Sequence, residues 1–261
     1  MKKMMALLLV FVIAASLVAC SQAETETIYV QTESVRTIGE NQIRMEYAYS
    51  DTGVPVSLKS YLNNKLYQTI DYRISNGLQF LTVTDSEGNI TTQSTETKYD
   101  DKGRVMQVTS AIGGTEVAYT NYTYDDNDKL ISTMAVTAAA SVYTTYTYGD
   151  NGWVVSTLAV DQNTGEYTRT DYVYNENGDV IKESIFSAED TMAEAKTISY
   201  NADKTEITTT YLDGEGQPTG EVVVDSYDEH GNKVKSVTTI NGEVAMTTVS
   251  TFVAMEVPVK K

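Results

Sequence analysis

A tyrosine followed by a polar turn recurs along this chain at intervals of 23 to 27 residues: Tyr49, Tyr72, Tyr99, Tyr124, Tyr148, Tyr174, Tyr200 and Tyr227. A fixed period of this size marks one supersecondary unit stacked many times. The unit reads as a hairpin. In Tyr122-Thr123-Tyr124-Asp125-Asp126-Asn127-Asp128-Lys129-Leu130-Ile131, a Tyr/Thr-rich run precedes the turn and an aliphatic run follows it. Both compositions favour strands. Side chains alternate faces along a strand, so Tyr122 and Tyr124 share a face, as do Tyr146 and Tyr148, and Tyr172 and Tyr174.

The spacing also predicts a register. Val105, Leu130, Val154 and Val180 each stand six residues after a repeat tyrosine. A three-residue loop between paired residues, such as Asp125 opposite Lys129, sets Tyr124 opposite Leu130 and gathers tyrosine and aliphatic residues on one face. A slip by one would scatter them over both faces. The loop chemistry fits a type I turn opened by Asp or Asn and closed by a residue in the left-handed conformation. Gly103, Gly152, Gly178 and Gly231 occupy that closing position; Asp128 and Lys204 replace glycine there. Second turns at Ile112-Gly113-Gly114-Thr115, Asp161 to Gly165 and Ile240-Asn241-Gly242-Glu243 reconnect the hairpins, and Ala188 to Ala195 reads as a longer loop.

The expected fold is therefore all-β, an antiparallel meander of about 16–18 short strands, with helix only in a signal peptide. Twisted open sheets seldom exceed about ten strands without curling or splitting. A strongly curled half-pipe or superhelical ribbon is expected, with a closed barrel as the alternative. Inward curling would bury the tyrosine face, and Lys260 and Lys261 beyond Pro258 would discourage pairing of the last edge. A lipid-facing outer-membrane barrel is not expected, because Thr, Ser, Glu and Lys stand on both faces of the strands.

The pattern Tyr-Asp-x-x-Gly-x-Val/Leu, as in Tyr99-Asp100-Asp101-Lys102-Gly103-Arg104-Val105, resembles the YD repeats of bacterial rearrangement-hotspot (RHS) proteins. Asp128 departs from the pattern's glycine, and Gly149 and Asn175 from its aspartate. The resemblance implies a long curled β-sheet able to enclose a cavity, on an exported bacterial protein. Toxin delivery is not expected to carry over with it, since no extra carboxy-terminal domain or self-cleavage module is read in the residues.

The amino terminus supplies an address. Lys2 and Lys3 precede an apolar run from Ala6 to Ala19, shorter than the roughly 20 residues of a membrane span. This is the layout of a secretory signal peptide. Leu17-Val18-Ala19-Cys20 resembles the bacterial lipobox, in which the cysteine is acylated and becomes the first residue. An ordinary signal peptide with an incidental cysteine is the other reading. The expected division is residues 1–19 as signal peptide, 20–27 as acylated Cys20 and a short tether, and 28–261 as one hairpin-repeat domain. Acyl chains hold a protein at a membrane through about 0.8 kcal/mol per buried methylene, so the expected location is the cell membrane or outer membrane, lipid-anchored and extracytoplasmic.

Of 19 Lys and Arg, Lys2 and Lys3 leave with the signal peptide; 17 then face 36 acids, a balance of −19. That field repels phosphate backbones, so nucleic acid is not an expected partner. Envelope or host glycans and proteins are. Catalytic chemistry is sparse: His230, the single histidine, sits in a turn and reads as a solvated turn residue, and Cys20 is the single cysteine. Ser-His-Asp, Cys-His and Cys/His zinc arrangements have too few members. Acidic turns such as Asp125–Asp128 lack the bidentate carboxylate of a calcium loop, since Val136 and Phe186 fall at the twelfth positions counted from Asp125 and Asn175. No enzyme activity, cofactor or metal is expected. The function read from the sequence is a structural or binding β-repeat module; the alternative is a carbohydrate-active enzyme using Asp/Glu on the curled sheet. Tyr122, Tyr124, Tyr146, Tyr148, Tyr172 and Tyr174 are the candidate residues, as a binding face or as a cross-strand ladder.

Overall fold

The computed structural model describes residues 25–187 and 190–259. The expected signal peptide (residues 1–19), Cys20, Lys260 and Lys261 lie outside the described residues. Eighteen strands form one sheet: β1 (Thr25–Ile38), β2 (Asn41–Tyr49), β3 (Pro55–Leu62), β4 (Lys65–Ser75), β5 (Leu78–Asp85), β6 (Ile90–Tyr99), β7 (Val105–Ile112), β8 (Thr115–Tyr124), β9 (Leu130–Thr137), β10 (Ser141–Tyr148), β11 (Val154–Asp161), β12 (Tyr167–Tyr174), β13 (Val180–Phe186), β14 (Met192–Tyr200), β15 (Glu206–Asp213), β16 (Pro218–Tyr227), β17 (Lys233–Ile240) and β18 (Glu243–Pro258). Each strand pairs antiparallel with the next. The seam between β1 and β18 is antiparallel too, running from Thr25 opposite Pro258 to Thr37 opposite Thr247. The ring is thus closed, the alternative of the sequence reading rather than the half-pipe or ribbon. β18 is not an edge: its partner is β1.

The predicted register holds through the middle of the chain. Tyr99, Tyr124, Tyr148 and Tyr174 face Val105, Leu130, Val154 and Val180. Tyr49 faces Pro55 and Tyr227 faces Lys233 in the same way. Tyr200 differs and faces Ile207, one residue further on. Tyr72 is a correction to the counted repeat. It lies inside β4 opposite Leu81, and its hairpin turns later, at Asn76-Gly77. The loop expected over Ala188 to Ala195 is also shorter, because β14 begins at Met192, and β1 begins at Thr25, inside the expected tether.

Following the pairs around the ring sorts the side chains into two faces. One face carries the repeat tyrosines together with Leu58, Ile70, Leu130, Val154, Ile185 and many Thr and Ser. The other carries Arg44, Glu46, Lys59, Arg73, Arg169 and Asp171 among Val, Tyr and Phe. Barrels of about eight strands fill with side chains, whereas those of about sixteen to eighteen leave a water-filled lumen. This wall is sparsely packed in the same sense. Among the described residues no side chain is fully buried, and the apolar residues under 9% exposed are Val30, Leu58, Ala195 and Val257.

Candidate functional site

The tyrosine turns all lie on one rim of the ring, and so do the ends of β1 and β18, since Thr25 pairs with Pro258 there. Each turn is built by its first residue. Asp125 Oδ1 accepts from the amides of Asn127 and Lys129, and Asp125 N donates to Lys129 O at 2.9 Å. Asp100, Asn175 and Asp228 make the same pair of side-chain contacts in their turns. The closing residue is left-handed whether it is glycine or not: Gly103 has φ of 79°, Asp128 65° and Lys204 57°. The acidic side chains are committed to folding the turn, which accounts for them without a metal. Among the described residues no group of three or more His, Cys, Asp and Glu is placed to hold one.

A β-bulge sits beside six of these turns, those after Tyr49, Tyr99, Tyr124, Tyr148, Tyr174 and Tyr227, and the sequence pattern did not announce it. Tyr124 faces Leu130, but Thr123 already faces Ser132, so Ile131 is the extra residue. Met106, Val155, Ile181 and Val234 are extra in the same way. A bulge disrupts the local ladder and twists the strand. The next tyrosine uses the carbonyl beside it. Tyr124 Oη donates to Val105 O (3.0 Å), Tyr148 Oη to Leu130 O (2.7 Å), Tyr174 Oη to Val154 O (2.6 Å) and Tyr200 Oη to Val180 O (3.0 Å). The acceptor is always the residue opposite the preceding repeat tyrosine. Tyr49 Oη continues the series across β1, donating to Gln31 O at 2.9 Å beside the bulge at Gln31/Glu33.

Cations from one turn cover the ring of the next. The Arg104 guanidinium lies 4.6 Å from the Tyr124 ring centroid and the Lys129 ammonium 4.9 Å from that of Tyr148. Arg104 also reaches Asp100 (2.7 Å) and Asp128 (2.5 Å), and Lys204 reaches Asp179 at 2.7 Å. Trp153 packs against Tyr174 with centroids 5.1 Å apart and stands over Gly178, where an added Cβ would meet the indole at 2.7 Å. Hydrogen bonds from Lys204 and Asn175 hold the Asp179 carboxyl below the usual range, and one from Asn232 does the same for Asp228.

The six candidate tyrosines therefore fall into two classes on one face. Tyr124, Tyr148 and Tyr174 spend their hydroxyls on backbone. Tyr122, Tyr146 and Tyr172 sit one step inward, and among the described residues their hydroxyls have no hydrogen-bond partner. Burial pushes the Tyr122 phenol up, with further contributions from Tyr124 and Tyr146. A cleft of about 540 Å³ opens beside Tyr122 and Tyr124, lined also by Lys98, Asp100, Arg104 and Gln107. His230 is an exposed turn residue, as expected, and its ring also stacks on Tyr29 of β1, 3.7 Å between centroids and 15° between planes.

No family model matches the chain, and no curated protein matches it. Its likeness is to solved structures. A porin-like protein from Bacteroides uniformis aligns at 11% identity with a TM-score of 0.41, over 85% of this chain and 96% of that one. A Photorhabdus luminescens Tc holotoxin pore structure aligns at 11% identity with a TM-score of 0.36, over 80% of this chain and 15% of that one. The chain thus spans about 15% of the toxin chain's length. What the structure supports by itself is a β-barrel module built from hairpin repeats.

Proposed function

We propose that this protein is an exported, lipid-anchored YD-repeat barrel that binds a ligand at the bacterial envelope and catalyses no reaction. The observation that carries the reading is the common rim. β1 starts and β18 ends where the tyrosine turns lie. Cys20 precedes Thr25 by five positions, a reach of at most about 18 Å when extended. An acylated Cys20 would tether that rim to the membrane and hold the wall and the opposite rim away from it.

Charges in the wall support a barrel with water on both sides. Glu183 and Lys196 pair at 2.9 Å on the tyrosine face, in the row of Tyr172. Arg169 and Asp171 pair at 3.2 Å on the other face. A Lys or Arg facing lipid at mid-membrane costs about 2–4 kcal/mol, and neither face avoids that cost. The absence of catalysis is supported by how the acids and tyrosines are used: turn carboxylates cap amides, and the outer tyrosine hydroxyls bind carbonyls.

The test is a Cys20→Ser variant of the full chain, followed by labelled fatty acid and by membrane fractionation. Loss of label and release from the membrane fraction are the expected results. Retention of the variant in that fraction, with label elsewhere or absent, refutes the anchor.

A further inference from the structure

The tyrosine face holds a cation with nothing to pair with. The chain has five arginines. Arg44 reaches Glu33 and Glu46, Arg104 reaches Asp100 and Asp128, Arg169 reaches Asp171 and Asp190, and Arg73 lies over Phe80. Arg36 has no hydrogen bond, carboxylate or ring among the described residues, and its Nε is shielded from water without a partner. Its charge is felt at the Tyr47 phenol on β2. A shielded donor left unpaired is costly, so the position calls for an explanation.

The row that contains Arg36 supplies one. Arg36 on β1 faces Thr248 on β18, Thr248 faces Ser236 on β17, and Ser236 faces Asp225 on β16. Ser34 and Ser250 pair in the adjoining row, and Ser34 is 3% exposed. Asp225 is the other group of this kind. Its Oδ2 reaches Lys233 at 3.3 Å, while Oδ1 is shielded and has no partner among the described residues. Three strand spacings of about 4.8 Å separate Arg36 from Asp225. Thr248 and Ser236 stand between them.

We infer that this row is a binding site for an acidic sugar, whose carboxylate pairs with the Arg36 guanidinium and whose ring hydroxyls meet Thr248 and Ser236. A planar guanidinium matches a carboxylate through two parallel hydrogen bonds. Hydroxyls donate and accept, which suits a polyol. The acidic excess of the chain disfavours anions in general. An anionic ligand is therefore held where a cation lacks a carboxylate of its own. The inference deepens the proposed binding role by naming the ligand class.

The experiment uses the full chain in detergent and isothermal titration with an oligogalacturonide, its methyl ester and the neutral galactose oligomer of equal length. Binding of the acid, weakened roughly tenfold or more by esterification, is expected for losing one charge-assisted contact. Arg36→Gln should weaken the acid to the level of the ester, and Arg36→Lys should restore part of the loss. The ester comparison uses unaltered protein, so misfolding of a variant does not blunt it. Equal binding of acid and ester, binding by none of the three, or undiminished binding by folded Arg36→Gln overturns the site. If the neutral oligomer binds as well as the acid, the binding module stands and the Arg36 site falls. The anchor is judged separately, by Cys20→Ser.

Discussion

Replacing Tyr148 by Phe isolates the bond that joins one hairpin to the next. The hydroxyl lies 2.7 Å from Leu130 O and makes no other hydrogen bond among the described residues. Phe keeps the ring, and with it the Lys129 contact at 4.9 Å. The loss is thus one neutral hydrogen bond, about 0.5–1.5 kcal/mol net. Water at the rim can reach the freed carbonyl, which keeps the cost below that of a fully enclosed orphan. Corresponding tyrosines of successive hairpins lie two strand spacings apart, about 10 Å, where effects add to within about 0.5 kcal/mol. Changing Tyr124, Tyr148, Tyr174 and Tyr200 together should therefore cost about 4 kcal/mol, a large share of the roughly 5–15 kcal/mol that stabilises a domain. Urea unfolding followed by Trp153 fluorescence and far-ultraviolet circular dichroism gives the midpoint and slope; the midpoint should fall with the slope unchanged. The control set is Tyr122, Tyr146 and Tyr172, whose hydroxyls have no partner, and Phe there should change stability by less than about 0.5 kcal/mol. If the control triple costs as much as the outer set, the stitching role assigned to the turn tyrosines is wrong.

Three further outcomes are expected. Lys204→Gly should raise stability by about 0.5–1 kcal/mol, because a non-glycine residue at φ of 57° is strained and the exposed pair with Asp179 contributes little; a lower melting temperature would refute the strain. Val30→Asp should prevent a stable ring, since Val30 is 8% exposed at the seam opposite Val253 and an unpaired charge there exceeds about 3 kcal/mol; a folded barrel by size-exclusion and circular dichroism would show that the seam is dispensable. Stability should fall at both pH extremes. Burial raises the Tyr47, Tyr49 and Tyr72 phenols, so their contribution is complete below the unfolded value near 10 and is lost as pH climbs through the folded ones. The Asp228 carboxyl is lowered by a hydrogen bond from Asn232, so its contribution is present above about 4 and is lost as pH drops through the folded value. Denaturation midpoints that stay flat from pH 3 to 11 would contradict both.

Local chemistry was legible in the sequence because it is local. Asp125 and Lys129 are close along the chain, the left-handed position lies between them, and period-two alternation ties Tyr124 to Leu130. The bulges were hidden by the same alternation. Their signal was the doubled aliphatic after the turn, as in Leu130-Ile131 or Val154-Val155, where period two asks for one. The tyrosine acceptors were hidden for another reason: the hydroxyl needed a partner, yet Val105 lies 19 residues before Tyr124 and belongs to the preceding hairpin. Tyr72 was misread because its spacing fits the period while its turn, Asn76-Gly77, comes later. Arg36 carried no motif. Only the row of pairs from β1 to β16 brings it into line with Asp225, and the charge pattern of the sequence shows an arginine among many acids.

Closure is the step that the repeat itself does not supply. A regular unit repeated along an open ribbon ends in two unsatisfied edges. An antiparallel ring can close only with an even number of strands, so that the first and last run in opposite senses, and eighteen meets that condition. The units that look least regular as repeats perform the closure. β1 and β18 are the longest strands, 14 and 16 residues, and they pair along nearly all of β1. The tyrosine series crosses the join, because Tyr49 donates to Gln31 O just as Tyr148 donates to Leu130 O. His230 on Tyr29 then ties the neighbouring turn to β1. The two end strands are therefore where the sequence is shaped by the seam rather than by the hairpin. The unpaired Arg36 lies on that seam, in the stretch of wall where the hairpin repeat places the fewest constraints on side-chain choice.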